Sequence, residues 1–118
     1  MLEALFGNRT IEHVLFYLSL NEVCYATELH KRMGTSLSTF QNALDRLEQG
    51  GILVSSLQGK TRIYSFNSRY AFFVELTVLL RRAYEFLPQD IKEEFYEPVG
   101  RKRPRKKRKP LKYVEPQP

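Results

Sequence analysis

Side-chain hydroxyls and amides cover the polar face of a helix predicted over residues 36–49, within the segment GTSLSTFQNALDRLEQGG (34–51). At about 100° per residue, one sector of this helix collects the apolar side chains of Leu37, Phe40, Leu44 and Leu47. The remaining surface carries mainly uncharged polar groups, on Ser38, Thr39, Gln41 and Asn42, together with the charged Asp45 and Arg46. Amides of this kind can form paired hydrogen bonds with adenine, and hydroxyls can bond to bases or phosphates. These residue types fit recognition of base edges, and the competing interpretation is an ordinary solvated helix face.

Positive charge is concentrated in two other places. A short basic loop, which can approach phosphate, forms the tip of a predicted hairpin and contains Lys60, Thr61 and Arg62. The run RKRPRKKRKP (101–110) holds eight basic residues, namely Arg101, Lys102, Arg103, Arg105, Lys106, Lys107, Arg108 and Lys109. We expect this run to bind nucleic acid without sequence preference, through counterion release. A nuclear localisation signal and a solubilising tail are the alternatives.

The two parts of the chain differ in net charge. Residues 1–98 contain ten basic and twelve acidic residues, for a net charge of −2. Residues 99–118 contain nine basic residues and one acidic residue, for a net charge of +8. This asymmetry predicts a polyanionic partner that is contacted by an appended arm.

Other chemistry is not indicated by the residue pattern. The chain contains no G-x-S-x-G, no Walker-type glycine loop and no H-E-x-x-H, so we expect neither an enzyme nor a cofactor. His13, Cys24 and His30 are too few and too scattered for a tetrahedral metal site. A single cysteine fits a reducing compartment, and the sequence shows neither an apolar run of 18 residues nor a signal-peptide pattern. These features predict a cytoplasmic protein.

Two helices are predicted before the polar helix. The first has the apolar spacing i, i+3, i+4, i+7 at Ile11, Val14, Leu15 and Leu18, with Thr10 as its N-cap. The second is shorter, ends at Gly34 and carries its apolar face on Ala26, Leu29 and Met33. Three residues, GTS, then lead to the third helix, for which Ser36 is the predicted N-cap.

A β-hairpin and a long helix are predicted after it. The runs ILVSSL (52–57) and TRIYSF (61–66) are joined by QGK (58–60), with Gly59 available for a positive φ. A helix over about 69–87 is apolar almost all round, which predicts burial on more than one side and a second subunit on one of them. Residues 89–97 are predicted to add a short helical turn. The domain therefore spans 1–97, and the proline-containing basic tail, expected to be disordered, spans 98–118.

The order helix, helix, three-residue turn, helix, hairpin is that of a winged helix-turn-helix. Over about residues 5–87 the sequence resembles the ArsR/MarR-like winged-helix transcriptional regulators. The segments that carry the resemblance are LFGNRTIEHVLFYL, ATELHKRMGTSLSTFQNALDRLEQGGIL and the wing GKTRIYSFN. The opening LFGNRT and the wing look most like small one-domain regulators of the ArsR-like type.

The resemblance implies a homodimer that places its third helix in the major groove of double-stranded DNA and its wing on the flanking backbone. The base-facing candidates are Ser38, Thr39, Gln41 and Asn42, and the implied phosphate contacts are Ser36 and Arg46. Lys60, Thr61 and Arg62 belong to the wing. The dimer interface is expected on the long helix, at Phe72, Phe73, Leu76, Leu79, Leu80 and Ala83.

The chain departs from the family's metal sensors because it lacks their paired-thiol Cys-x-Cys motif. The sequence thus predicts a mainly α protein with a small β-hairpin, acting as a dimeric repressor at a prokaryotic nucleoid, and in a nucleus only if the host is eukaryotic. One alternative is a protein-interaction or architectural adaptor whose tail binds nucleic acid non-specifically. Another is a regulator gated by a small molecule bound beside the aromatic-rich helix, which the residues do not specifically indicate.

Overall fold

The computed structural model describes residues 1–98, in which four helices precede a β-hairpin and further helical segments follow it. The helices before the hairpin are α1 (Glu3–Phe6), α2 (Arg9–Leu20), α3 (Ala26–Met33) and α4 (Leu37–Gln49). The hairpin consists of β1 (Leu53–Gln58) and β2 (Thr61–Phe66). After it come α5 (Phe73–Tyr84), α6 (Gln89–Ile91) and a π-helical turn, Lys92–Tyr96. The predicted mainly helical class with a two-stranded antiparallel hairpin is confirmed, and the arrangement is consistent with a winged-helix-like fold.

Helix α2 lies at the centre of the core. Its residues Val14, Leu15 and Phe16 are at most 1% exposed, and α4 and α5 both pack against it. Burial of each large apolar side chain of this kind contributes about 1.5–3 kcal/mol. The N-cap of α2 is Asn8, whose Oδ1 accepts a hydrogen bond from the Ile11 N–H at 2.7 Å, so the expectation of Thr10 at this place is corrected.

A third extended segment joins the hairpin to the helices. The Cys24 N–H donates to the Tyr64 carbonyl at 2.9 Å, and the Tyr64 N–H donates to the Cys24 carbonyl at 2.8 Å. Cys24 is fully buried at this bridge, as expected of a small apolar residue, and burial raises the pKa of its thiol to about 12. The bridge fixes the base of the hairpin next to the start of α3.

Helix α5 is shorter than the predicted span of 69–87. Turns precede its start: the Asn67 carboxamide donates to the Gly51 carbonyl at 2.8 Å and accepts from the Arg69 N–H at 3.0 Å, and the N–H groups of Tyr70 and Phe73 donate to the carbonyls of Asn67 and Tyr70. At the other end, Phe86 and Leu87 donate to the carbonyls of Ala83 and Tyr84, three residues back rather than four. Pro88 disfavours the helical conformation of the residue before it, which accounts for this early end.

Candidate nucleic-acid interface

A tight turn sets α4 against α3. Gly34 ends α3 in the left-handed region, at φ 83°, and its N–H donates to the His30 carbonyl. His30 Nδ1 also lies 2.8 Å from the Thr35 carbonyl oxygen. Ser36 then caps α4, since its Oγ accepts from the Thr39 N–H at 3.3 Å. The predicted cap and turn residues are thus confirmed.

The polar face of α4 points into solvent. Phe40, Ala43, Leu44 and Leu47 form its buried side, and the apolar sector differs from the predicted one because Leu37 is 36% exposed at the first turn. Ser38, Thr39, Gln41 and Asn42 are all exposed. Within residues 1–98, the Gln41 and Asn42 amides make no hydrogen bond, whereas the Ser36 and Thr39 hydroxyls bond to each other at 2.7 Å. Ser38 Oγ also lies 3.4 Å from Ser36 Oγ, so of these four side chains the two amides are the ones without a partner.

Asp45 is the acidic residue on the same face. Its Oδ2 accepts a hydrogen bond from the Gln49 amide at 2.9 Å, one helical turn further on. An unpaired carboxylate here would repel phosphate. The bond to Gln49 holds the carboxylate towards the C-terminal end of α4, away from Ser38.

Arg46 lies on the flank of α4 that borders α5. It lines an open cleft of about 620 Å³ together with Glu75 of α5 and a set of mainly apolar residues from α1, α2 and α5. The side chain is exposed. A phosphate contact by Arg46 would therefore lie at the edge of the polar face that faces the cleft.

The hairpin tip carries the predicted wing residues. Gly59 adopts φ 64° in the turn, and Lys60, Thr61 and Arg62 are all exposed. The Arg62 guanidinium is held on one side, because its Nη1 donates to Ser55 Oγ at 2.9 Å. Ser55 Oγ in turn donates to Glu48 Oε2 at 2.7 Å. Sequence reasoning missed Ser55 and Glu48, whose meeting depends on how the hairpin folds back towards the end of α4.

The apolar surface of α5 differs from the predicted dimer interface. Leu80 and Ala83 are 0% and 6% exposed within the protomer, so both are removed from the predicted interface as a correction. Leu76 is half-buried against the protomer's own core, and Phe73 is half-buried with its ring edge-on to that of Phe66. Of the predicted set, Phe72 and Leu79 remain exposed, and the structure adds exposed apolar side chains at Leu5, Val74, Val78 and Phe86. Three of these exposed residues, spaced by seven positions, are here called the apolar stripe: Phe72 just before α5, Leu79 on it and Phe86 just after it.

The segment after α5 is anchored to α2 and α3. Tyr96 is 1% exposed and packs against the rings of Phe16 and Tyr84. The Asn21 amide donates to the Tyr96 carbonyl at 2.8 Å. Arg32 Nη2 donates to the carbonyls of Glu93 and Glu94, both at 3.1 Å. These contacts fix the chain immediately before the basic tail; the tail residues 101–109 that were predicted to bind nucleic acid lie outside the described residues.

The three candidate metal ligands have separate surroundings. His13 lies half-buried in the aromatic cluster, with Nδ1 2.7 Å from the Tyr96 hydroxyl, and burial lowers the pKa of its imidazole. Cys24 lies in the β-bridge, and His30 lies at the turn after α3. In the part of the chain from 1 to 98, no three His, Cys, Asp or Glu side chains cluster as metal ligands would. Helix α4, with 13 residues, is the longest of residues 1–98, and none of these helices has the length and apolar character of a membrane span.

Comparison with known proteins supports the fold alone. No protein family model matches the chain, and no curated protein does so either. The structure is similar to the crystal structure of the YusO protein from Bacillus subtilis, with a TM-score of 0.55 and 21% sequence identity. The similarity covers 75% of this chain and 71% of that one.

Proposed function

We propose that this protein is a winged helix-turn-helix transcriptional regulator of the ArsR/MarR-like type that binds double-stranded DNA. The observation that carries the proposal is the exposed polar face of α4, where the Gln41 and Asn42 amides have no partner among residues 1–98. A free amide at the start of a helix that follows a tight turn is well suited to base edges, because the second helix of such motifs enters the major groove by its N-terminal part. In that role, α4 reads bases and the protein acts most simply as a repressor that occludes a promoter.

The backbone contacts in this proposal come from three places. The exposed wing residues Lys60 and Arg62 approach phosphates that flank the bases read by α4. Ser36 and Arg46 contact phosphate at the ends of the polar face. The described part of the chain has a net charge of −2, so most of the electrostatic attraction comes from the basic residues 101–109.

The same proposal includes a homodimer. In the apolar stripe, Phe72 is 61% and Phe86 65% exposed. Exposure of such apolar surface to water is unfavourable, so burial against another protein surface is favoured. A second copy that pairs through this stripe would relate two α4 helices by a two-fold axis. The operator is then a palindrome with half-sites about one helical turn apart.

The test is an electrophoretic mobility shift with a duplex that wild-type protein selects from a randomised library. The double variant Gln41→Ala/Asn42→Ala removes both free amides, and each lost bidentate contact costs about 1–3 kcal/mol of discrimination. We expect binding to the selected duplex to fall to the level of an unrelated duplex. Gln89→Ala removes an exposed amide of α6 and should leave selectivity unchanged. Unchanged selectivity in the double variant would show that α4 does not read bases.

A second candidate function is favoured by the apolar stripe together with the negative net charge of residues 1–98. In it, the domain docks another protein and only the tail holds nucleic acid. Competition with unrelated DNA at physiological salt separates the two functions. A regulator keeps a large preference for its selected duplex, whereas an adaptor loses all duplexes equally as salt rises.

A further inference from the structure

A chain of two hydrogen bonds joins the end of α4 to both strands of the hairpin. Ser55 Oγ on β1 donates to Glu48 Oε2 at 2.7 Å, and Arg62 Nη1 on β2 donates to Ser55 Oγ at 2.9 Å. One hydroxyl thus acts as donor and acceptor between an anion and a cation. In the antiparallel register Ser55 pairs with Tyr64, so Arg62 reaches diagonally across the ladder to bond to it.

The two hydrogen bonds lead from a half-buried carboxylate to an exposed guanidinium. Glu48 and Ser55 are half-buried where α4, Gly50 and Gly51 lead into β1, whereas Arg62 is exposed. An arginine has five N–H donors, and the bond to Ser55 engages Nη1. Within residues 1–98, Nε and Nη2 of Arg62 donate to no other group. The guanidinium is therefore held at one nitrogen and keeps others for a ligand.

We infer that Ser55 and Glu48 are positioning residues for the wing, and that they hold Arg62 at a fixed place relative to α4. This inference rests on the proposed function and names which side chains set its geometry. The phosphate that Arg62 contacts and the bases that Gln41 and Asn42 contact then keep a constant spacing. Without the hydroxyl, Arg62 must be ordered each time DNA is bound.

The expected loss of DNA affinity in Ser55→Ala follows from the entropy cost of ordering the Arg62 side chain on binding. Immobilising one long side chain at an interface corresponds to about two- to ten-fold in affinity. We expect Ser55→Ala to weaken binding to the selected duplex by about this factor. Ser55→Thr keeps a hydroxyl on a strand residue and should bind as wild type does. Glu48→Ala should resemble Ser55→Ala, and Glu48→Gln, which keeps an acceptor oxygen, should recover most of the affinity.

The matched control is Ser56→Ala. Ser56 is the next residue on β1, is exposed, and has no side-chain hydrogen bond within residues 1–98. Its removal should leave affinity unchanged. Thermal unfolding of each variant checks that the hairpin is still folded, and the Thr and Gln variants keep the comparison valid if an alanine variant is unstable.

A double-mutant cycle separates positioning from general stabilisation. In an Arg62→Ala background, Ser55→Ala should cause no further loss, because there is no guanidinium left to hold. Arg62→Ala itself should also reduce the slope of log K against log salt by about 0.9, the value for one phosphate contact. The inference is overturned if Ser55→Ala costs as much with alanine at 62 as with arginine, or if it costs no more than Ser56→Ala.

The outcomes also separate this inference from the proposed function. If Gln41→Ala/Asn42→Ala abolishes selectivity while Arg62→Ala and Ser55→Ala bind as wild type does, the regulator stands and the positioning role fails. If wild-type protein selects no duplex from the library, both fail together.

Discussion

The hydroxyl of Tyr96 lies 2.7 Å from Nδ1 of His13, across 83 positions of the sequence. This bond joins the π-helical turn to the middle of α2, and the His13 ring also meets Phe95 edge-on at 5.4 Å between centroids. The imidazole is thus part of the packing that holds the end of the domain in place. Burial is the main cause that lowers the pKa of His13 below its ordinary value.

The lowered pKa of His13 predicts how stability depends on pH. In the unfolded chain His13 takes up a proton near pH 6.5, whereas in the folded protein it does so only at lower pH. Between the two values the unfolded state binds more protons, so the free energy of unfolding decreases as the pH falls below about 6.5. Denaturant unfolding from pH 7.5 downwards should show a smaller decrease for His13→Gln than for wild type. His30→Gln, which changes an exposed histidine, is the control, and an equal effect of both substitutions would contradict the assignment.

The negative charge of Asp45 on the polar face of α4 predicts that its removal increases the affinity for DNA. Replacement of the carboxylate in Asp45→Asn removes a negative charge from the face that α4 would turn towards DNA. We expect tighter binding to all duplexes, by about two- to five-fold at low salt and less at high salt, because exposed charges are screened. Glu22→Gln removes an exposed acidic residue located between α2 and α3 and serves as the control. If Asp45→Asn binds more weakly, the carboxylate itself contacts DNA, for example by accepting from cytosine.

The apolar stripe predicts a dimer that one charge can disrupt. Leu79→Glu puts a carboxylate in the middle of the stripe, at a position where the wild-type leucine is 36% exposed. Sedimentation equilibrium should show a dimer for wild type and a monomer for this variant, since an unpaired charge in an interface costs several kcal/mol. Leu57→Glu changes a leucine that is 60% exposed on the hairpin and should remain dimeric. A monomeric wild type would contradict the dimer and favour a different protein as the partner of the stripe.

The basic run 101–109 predicts a strong dependence of DNA binding on salt. Each phosphate contact contributes about 0.9 to the slope of log K against log salt. Replacement of the eight lysines and arginines by glutamine should lower that slope by several units while the preference for the selected duplex persists. A tail with the same residues in shuffled order should keep the slope, because the effect depends on charge and not on order. An unchanged slope after neutralisation would exclude the tail from the contact with DNA.

Local signals in the sequence were sufficient to predict the turn and the hairpin that frame α4. Gly34, Ser36 and Gly59 each act on their own neighbours, so their conformations follow from residue type and position. The N-cap of α2 was missed because Asn8 and Thr10 are both good caps, and only the path of the backbone decides between them. The polar face of α4 likewise followed from periodicity, although the exposure of Leu37 did not.

Contacts between distant elements could not be predicted from the sequence. The sequence of a helix that is apolar all round does not reveal which sector packs on the protomer's own core. It therefore also predicts Leu80 and Ala83 at the dimer interface, although both are buried within the protomer. The bonds from Ser55 to Glu48 and Arg62 depend on the angle between hairpin and helix. The presence of a serine in a predicted strand does not indicate which distant side chains will bond to its hydroxyl.

Arg32 anchors the last described turn to α3, and this affects how the domain and the basic run 101–109 act together on DNA in the proposed function. Arg32 belongs to α3, the helix that packs directly against α4, and it holds the carbonyls of Glu93 and Glu94. The basic run begins at Arg101, only three positions after Pro98. In the proposed complex with DNA, a linker this short would bring the run to the bound duplex at an effective concentration of about the millimolar range. A weak attraction of the run for phosphate would then act as avidity and prolong residence on DNA without any added base contact.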